Sequence, residues 1–330
     1  ESRIAYDVEY ENALHYSPTF QRYASELVDR LAREHDLAAK NILEIGCGSG
    51  EFLAELCDRA GAAGFGFDPA HDPARAAKPR NATVSIQRTS FSAAHARQAY
   101  DFLCARHVLE HIARPVDFLR RLRRWIDGEH RPAYYLEVPN VLYTLRDMGI
   151  WDIIYEHCSY FSPRSLARTV ERAGCGVRRV LESYGGQFAS VEGRLGGDDP
   201  PPMIPGESDD EIEGLVERFS EHYQAKQSEW TDRLSDLARR GERAAVWGAG
   251  SKGVTFLNAT NAPLDVVPLV IDVNPRKAGR HVVGTGQRIV PPQELAGSDV
   301  DLVIVMNPNY LPEITARMRA LGVAPPAVTP

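Results

Sequence analysis

Ile42-Leu43-Glu44-Ile45-Gly46-Cys47-Gly48-Ser49-Gly50-Glu51-Phe52-Leu53 is the stretch on which the fold turns. A short apolar run leads into a glycine loop and then into the start of a helix. Gly46 and Gly48 permit a tight turn and let the backbone approach a ligand closely. Gly50 lets the helix begin near the strand, so a ligand meets backbone N–H groups at a helix N-terminus. The next strand, Gly64-Phe65-Gly66-Phe67, ends in Asp68, 18 residues beyond Gly50. A carboxylate at that place accepts hydrogen bonds from both hydroxyls of a ribose and repels a 2′-phosphate.

Working outward, residues 41–45, 64–67, 101–105 and 133–138 read as strands, with a helix over 51–59. Repeated β-then-α order predicts a parallel, doubly wound sheet. Residues 196–210 are acidic and rich in Pro and Gly, and read as a linker. A helical stretch follows over 211–240, its apolar positions Ile212, Val216, Phe219, Tyr223, Trp230, Leu234 and Leu237 tracing one face, with Lys226 interrupting the seam. It reads as a packed strut or, alternatively, a dimer seam. Strands then recur at 244–247, 266–271 and 302–306, with helices at 253–258 and 311–321. The expected class is α/β: a doubly wound Rossmann-like domain with an N-terminal helical cap over 1–195, linker and long helix over 196–240, and a second, smaller Rossmann-like α/β domain over 241–330.

Length agrees, since 330 residues at ~150 per domain give about two domains. Thirty-eight Lys and Arg against 45 Asp and Glu leave a net charge of −7. That balance, with a pI near 5.8, lacks the footprint for nucleic acid or anionic membranes. The basic run Arg120-Arg121-Leu122-Arg123-Arg124 reads as a solvated helix face. The cysteines at 47, 57, 104, 158 and 175 form no CxxC pair, so a reducing, cytoplasmic setting is expected. No apolar run reaches the ~18 residues a membrane span needs. No signal peptide is visible, and the chain opens at Glu1 rather than Met, which leaves room for residues before it.

The first loop and its acid suit NAD or S-adenosylmethionine. Its spacing is GxGxG rather than GxGxxG, and Glu44 just before it opposes a pyrophosphate. A sulfonium with an amino-acid tail tolerates that carboxylate. The segment resembles motif I of class I S-adenosylmethionine-dependent methyltransferases. The resemblance implies that Glu44, Gly46, Gly48, Gly50 and Asp68 hold the cofactor, with Ser90 and Phe91 near its adenine. Residues 100–111, Arg106 included, are similar to the family's fourth strand and following helix; that places His107 toward the substrate. His107-Val108-Leu109-Glu110-His111 also has HxxEH zinc spacing. It directly follows a strand of a nucleotide-binding pattern and no third ligand is evident, so no metal is expected; His111 is expected to be packed and hydrogen-bonded.

Residues 151–166, Trp-Asp-Ile-Ile-Tyr-Glu-His-Cys-Ser-Tyr-Phe-Ser-Pro-Arg-Ser-Leu, crowd aromatic and ionisable groups ahead of a helix start at Ser162-Pro163. A histidine accepts a proton near neutral pH, and Tyr155 and Tyr160 can donate hydrogen bonds to a carbonyl or enolate oxygen. A structural aromatic cluster accounts for the same residue types equally well. The stretch is similar to the Glu-His-x-x-Tyr-Phe-Ser segment of sugar C-methyltransferases, which act on nucleotide-linked keto-deoxysugars. The resemblance implies His157 as base, Glu156 as its neighbouring acid and a role for Tyr155, with Asn140 and Tyr160 toward the substrate. Tyr155-Glu156-His157 is one residue shorter than the family's usual Tyr-His-Glu-His. Residues 10–20 resemble that family's cap, so Tyr16 and Ser17 would reach the methionine end of the cofactor.

Gly248-Ala249-Gly250-Ser251-Lys252-Gly253 is a literal GxGxxG after a strand, and Asp272 lies 19 residues past Gly253. Read alone it predicts NAD. With residues 272–277, 284–286 and 291–295 it is similar to the C-terminal domain of the same C-methyltransferases. That implies Gly248, Gly250, Ser251 and Lys252 help hold the acceptor's nucleotide or phosphate. Met306-Asn307 departs from the family's Trp-Asn, and the family's four-cysteine N-terminal zinc domain is not in this sequence. The expected function is S-adenosylmethionine-dependent methylation of a small-molecule acceptor at carbon next to a ketone, in a cleft between the two domains. O-methylation and an NAD-dependent reaction are the alternatives.

Overall fold

A computed structural model describes residues 15–96, 99–126, 131–196, 204 and 208–330. Most of the expected linker, and residues 10–14 of the expected cap, lie outside the described residues. By internal contacts the chain forms two compact units. The first takes the described residues within Tyr23–Tyr143 and Tyr155–Asp209; the second takes residues 15–22, Thr144–Ile154 and Asp210–Pro330.

The elements run α1 (Pro18–Glu34), β1 (Asn41–Ile45), α2 (Glu51–Ala60), β2 (Ala63–Phe67), β3 (Thr83–Gln87), β4 (Phe102–Arg106), α3 (Pro115–Ile126), β5 (Ala133–Pro139), α4 (Val141–Arg146), α5 (Pro163–Arg172), β6 (Gly176–Ser183) and β7 (Phe188–Arg194). The strands form one sheet in the order β3-β2-β1-β4-β5-β7-β6. All neighbours are parallel except β7, which runs antiparallel to β5 and β6. The central strands are buried on both faces, as parallel strands covered by helices must be. Leu43, Ile45, Leu103 and Leu136 pack on one side, and Ile42, Phe102, Cys104 and Tyr135 on the other, beneath Val28 and Leu31 of α1.

The chain continues through α6 (Asp209–Arg240), β8 (Ala244–Trp247), α7 (Ser251–Ala259), β9 (Leu269–Ile271), β10 (Arg288–Val290), β11 (Leu302–Val305), α8 (Leu311–Ala320) and β12 (Ala327–Val328). The order β10-β9-β8-β11-β12 repeats, within this unit, the β3-β2-β1-β4-β5 order of the first sheet. In each sheet the order reverses beside the first strand, the point at which doubly wound sheets generally place their ligands. The glycine loops follow β1 and β8.

Three expectations are corrected. The helix placed directly after β4 is only a single 3-10 turn over Leu109–His111, and α3 starts at Pro115. His107 takes a left-handed backbone, φ +56°, which cannot enter a right-handed helix. The strand expected over 266–271 begins only at Leu269. Pro268 has no N–H for the ladder, and the N–H groups of Val266 and Val267 turn back to the Pro263 carbonyl. The seam of α6 is fully buried only toward its C-terminal end: Trp230, Leu234 and Leu237 are buried, Phe219 and Tyr223 are half-buried against the same core, and Val216 is exposed. Trp230 and Trp151 both pack edge-on to Phe256, with ring centroids 5.4 and 4.9 Å away. Among the described residues, no helix is long and apolar enough to cross a membrane.

Candidate active site

The first glycine loop is built by backbone conformation. Gly46, Gly48 and Gly50 have φ of +72°, +56° and +88°, a region that penalises any Cβ. A Cβ at Gly46 would sit 2.3 Å from Val108 Cγ2, whereas one at Gly48 would meet nothing within 4 Å. The loop is pinned by the Gly46 N–H, which donates to the Phe67 carbonyl (2.8 Å). The Gly48 N–H donates to Asp68 Oδ2 at 2.8 Å, and the buried His71 places Nδ1 2.8 Å from the Gly48 carbonyl. Asp68 Oδ1 also accepts from the Ala70 N–H. Each carboxylate oxygen keeps lone-pair capacity for a diol.

Glu44 is 3% exposed, and its Oε2 has no hydrogen-bond partner among the described residues. Burial outweighs the nearby Arg106 and lifts its pKa to about 8. A buried carboxyl with one oxygen unsatisfied, behind a glycine cradle, is the arrangement a cationic ligand group repairs. These residues therefore fit a nucleoside that carries an amino-acid tail.

Next to the loop lies a dense polar network that the motifs did not reveal. Glu137 on β5 is wholly buried and in register with Arg106 on β4. It accepts from Arg106 Nε at 2.9 Å, from the Tyr135 hydroxyl at 2.5 Å and from the Tyr23 hydroxyl. Burial would raise its pKa, yet Arg106 and His107 hold it well below the ordinary carboxylate range. Arg106 also lies over the Phe52 ring, 4.3 Å from its centroid. His107 has Nε2 3.4 Å from Glu137 and Nδ1 3.7 Å from Glu110. Burial alone would depress its pKa, but the two carboxylates prevail and raise it to about 9. The two carboxylates thus favour the protonated form of His107.

The segment after α4 brings His157 to the same region. The Cys158 and Ser159 N–H groups donate to the Glu110 carbonyl at 2.7 and 3.1 Å. His111 Nδ1 lies 3.0 Å from the Glu156 carbonyl. The His157 ring stands edge-on to His111 and Tyr160, with centroids 5.0 and 5.8 Å apart. Glu110, His111 and His157 bring ligand-type atoms within 4.8 Å of one another. His157, rather than the other histidine of the HxxEH pair, joins Glu110 and His111 in this grouping.

Other expected residues take other surroundings. Phe91 packs edge-on to Phe67, centroids 5.1 Å apart, inside the core, while Ser90 is exposed. The Ser17 hydroxyl donates to Glu313 at 2.7 Å, and Tyr16 lies against His15. Asn140 donates to the Gly186 carbonyl and accepts from the Leu142 N–H, which ties down the start of α4. Tyr155 is 83% exposed. In the second loop, the Ala249 N–H donates to Asp272 Oδ2 (2.9 Å), and Lys277 Nζ lies 3.4 Å from the same oxygen. Lys252 pairs with Asp152 at 2.6 Å. Gly248 has φ +119°, and Gly250 and Ser251 form the start of α7. Sequence reasoning missed Glu137, Tyr23, Tyr135 and His71. For Glu137 a signal existed: Arg106 and Glu137 are lone charges at corresponding ends of two apolar strands.

Fold and loop together define a class I S-adenosylmethionine-dependent methyltransferase. Residues 15–180 match the family profile described as "Methyltransferase domain", and the chain belongs to that family. Residues 207–324 match the "C-methyltransferase C-terminal domain". C-methyltransferase NovU of Streptomyces niveus is 25% identical over 292 residues, covering 83% of this chain and 67% of that protein. A ubiquinone biosynthesis O-methyltransferase of Nitrosospira multiformis is 26% identical over 170 residues, covering 47% of this chain and 69% of its own. Among solved structures, magnesium protoporphyrin IX methyltransferase of Synechocystis PCC 6803 with bound SAH aligns at TM-score 0.41 and 16% identity, covering 57% of this chain and 90% of the other.

Proposed function

We propose that this methyltransferase acts at carbon next to a ketone, on a nucleotide-linked deoxysugar or a similar small natural-product intermediate in the cytoplasm. The observation that carries this is the extent of likeness. Similarity to the C-methyltransferase covers 83% of the chain, and a C-methyltransferase C-terminal domain matches residues 207–324, whereas the O-methyltransferase likeness covers 47%. In this reading residues 1–195 form the cofactor domain and 241–330 help hold the acceptor, with Gly248, Gly250, Ser251 and Lys252 toward its nucleotide or phosphate and Asn140 and Tyr160 nearer the reacting end.

Glu44, the 46–50 loop and Asp68 would hold S-adenosylmethionine, with Tyr16, Ser17, Ser90, Phe91 and Arg106 as further candidates. When bound, it supplies a methyl group made electrophilic by the sulfonium. His157 removes the proton α to the carbonyl. His107, with its two ring nitrogens facing Glu110 and Glu137, would stabilise the enolate oxygen through its charge, with Tyr155 as the candidate hydrogen-bond donor. Glu156 positions the base segment through its carbonyl on His111. General-base help of this kind is worth ~10²–10⁴-fold.

His157→Ala should lower kcat by about that factor on a keto-deoxysugar nucleotide, with S-adenosylhomocysteine affinity unchanged. Undiminished turnover would remove His157 from the mechanism. The ubiquinone O-methyltransferase likeness favours a second reading, deprotonation of a hydroxyl by the same base. Product NMR separates C–CH3 from O–CH3.

A further inference from the structure

We propose that Glu110, His111 and His157 form a binding site for a late first-row divalent cation of the zinc class. The proposal uses the histidine of the catalytic reading but does not depend on which atom is methylated.

The three ligand atoms lie within 4.8 Å of one another. A tetrahedral cation with bonds of ~2.0–2.2 Å holds its ligands ~3.3 Å apart, so closure is a side-chain adjustment. Two details separate this cluster from a chance gathering. Glu110 is 2% exposed, and its Oε2 has no hydrogen-bond partner among the described residues. A buried carboxylate oxygen left unsatisfied calls for a cation or a donor. His111 has Nδ1 3.0 Å from the Glu156 carbonyl. A metal-binding imidazole characteristically has one ring nitrogen held by a carbonyl in this way, which orients the ring toward its cation. The set is two imidazoles and one carboxylate, with further coordination positions open. Imidazole favours zinc and its neighbours over magnesium.

A consequence follows for chemistry. An imidazole nitrogen that binds a cation has no lone pair left to accept a proton at that atom. The cation-bound and base-competent states of His157 exclude each other, and zinc-class cations act at this site as inhibitors of proton removal.

The test is equilibrium dialysis of the full chain against ZnCl2, with MgCl2 in parallel, read by metal analysis, together with Co2+ visible spectra. The expected result is one Zn2+ per chain, with d–d bands of a four-coordinate Co2+ site and no saturable Mg2+ binding. Glu110→Gln, His111→Ala and His157→Ala should each weaken Zn2+ binding at least tenfold. Cys158→Ser should retain it, which separates the triad from the exposed neighbouring thiol. His157 is only half-buried, so its variant keeps the fold, and circular dichroism checks this. Absence of stoichiometric Zn2+ uptake, survival of uptake in His157→Ala, or its loss in Cys158→Ser would each overturn the proposal. None of these outcomes bears on methyl transfer by the metal-free enzyme, which is assayed separately in EDTA.

Discussion

The two glycine loops are built on the same backbone plan. Each follows the first strand of a β3-β2-β1-β4-β5-type order, and each has an acid on the adjacent strand that accepts one loop N–H: Gly48 to Asp68 at 2.8 Å and Ala249 to Asp272 at 2.9 Å. Their charge settings are opposite. Behind the first loop lies Glu44, whose Oε2 has no hydrogen-bond partner, and Asp68 has no ion pair among the described residues. In the second, Lys277 sits on Asp272 and Lys252 on Asp152. Glycine spacing therefore says where a ligand approaches the backbone, and the surrounding charge says which ligand. The literal GxGxxG belongs to the second loop, yet the first has the electrostatics for a sulfonium and an ammonium.

The sharpest way to break the parallel is steric. A Cβ at Gly253 would stand 2.0 Å from the Gly248 carbonyl oxygen, a backbone atom with no room to yield. Gly253→Ala should destabilise the protein by about 3 kcal/mol or more, read from urea unfolding; an unshifted midpoint would show that the loop adapts. Next comes the ribose acid. Asp68→Asn should weaken S-adenosylhomocysteine binding ~10–100-fold by calorimetry, the scale of a charged hydrogen bond. Glu44 gives a pH signature. It deprotonates near its ordinary value, below 5, when unfolded and at about 8 when folded. The folded state thus binds the extra proton between those limits, and stability falls as pH rises through that window. Glu44→Gln should flatten that slope, with a difference on the order of 3 kcal/mol between pH 5 and 8; parallel slopes would refute it. The smallest effect belongs to the second loop: Asp272→Asn should leave S-adenosylhomocysteine affinity within about twofold. A loss matching that of Asp68→Asn would move the cofactor to the C-terminal domain.

The first sheet was legible because its signals are local. The apolar run 42–45, its glycines and Asp68 specify strand, turn and acid without reference to distant residues. The same holds for 244–247 and its loop. What was not legible depends on pairing across the sheet. Glu137 becomes the centre of a network only when β5 lies in register with β4 and α1 brings Tyr23 over it. The helix expected at 107–111 rested on family resemblance, while the left-handed backbone of His107 has no sequence signature in a residue other than glycine. Residues 144–154 carry too short an apolar pattern to announce that Ile150 and Trp151 belong to the core around Trp230 and Phe256.

That last segment limits how the protein can be cut. Residues 144–154 leave the first unit after Tyr143 and rejoin it at Tyr155, having contributed a tryptophan to the interior of the other. A gene truncated near residue 195 would keep the hook and lose the eye. The fragment would display an indole and an isoleucine with no shelter, a recipe for inclusion bodies, whereas co-expression of both halves would let them rejoin.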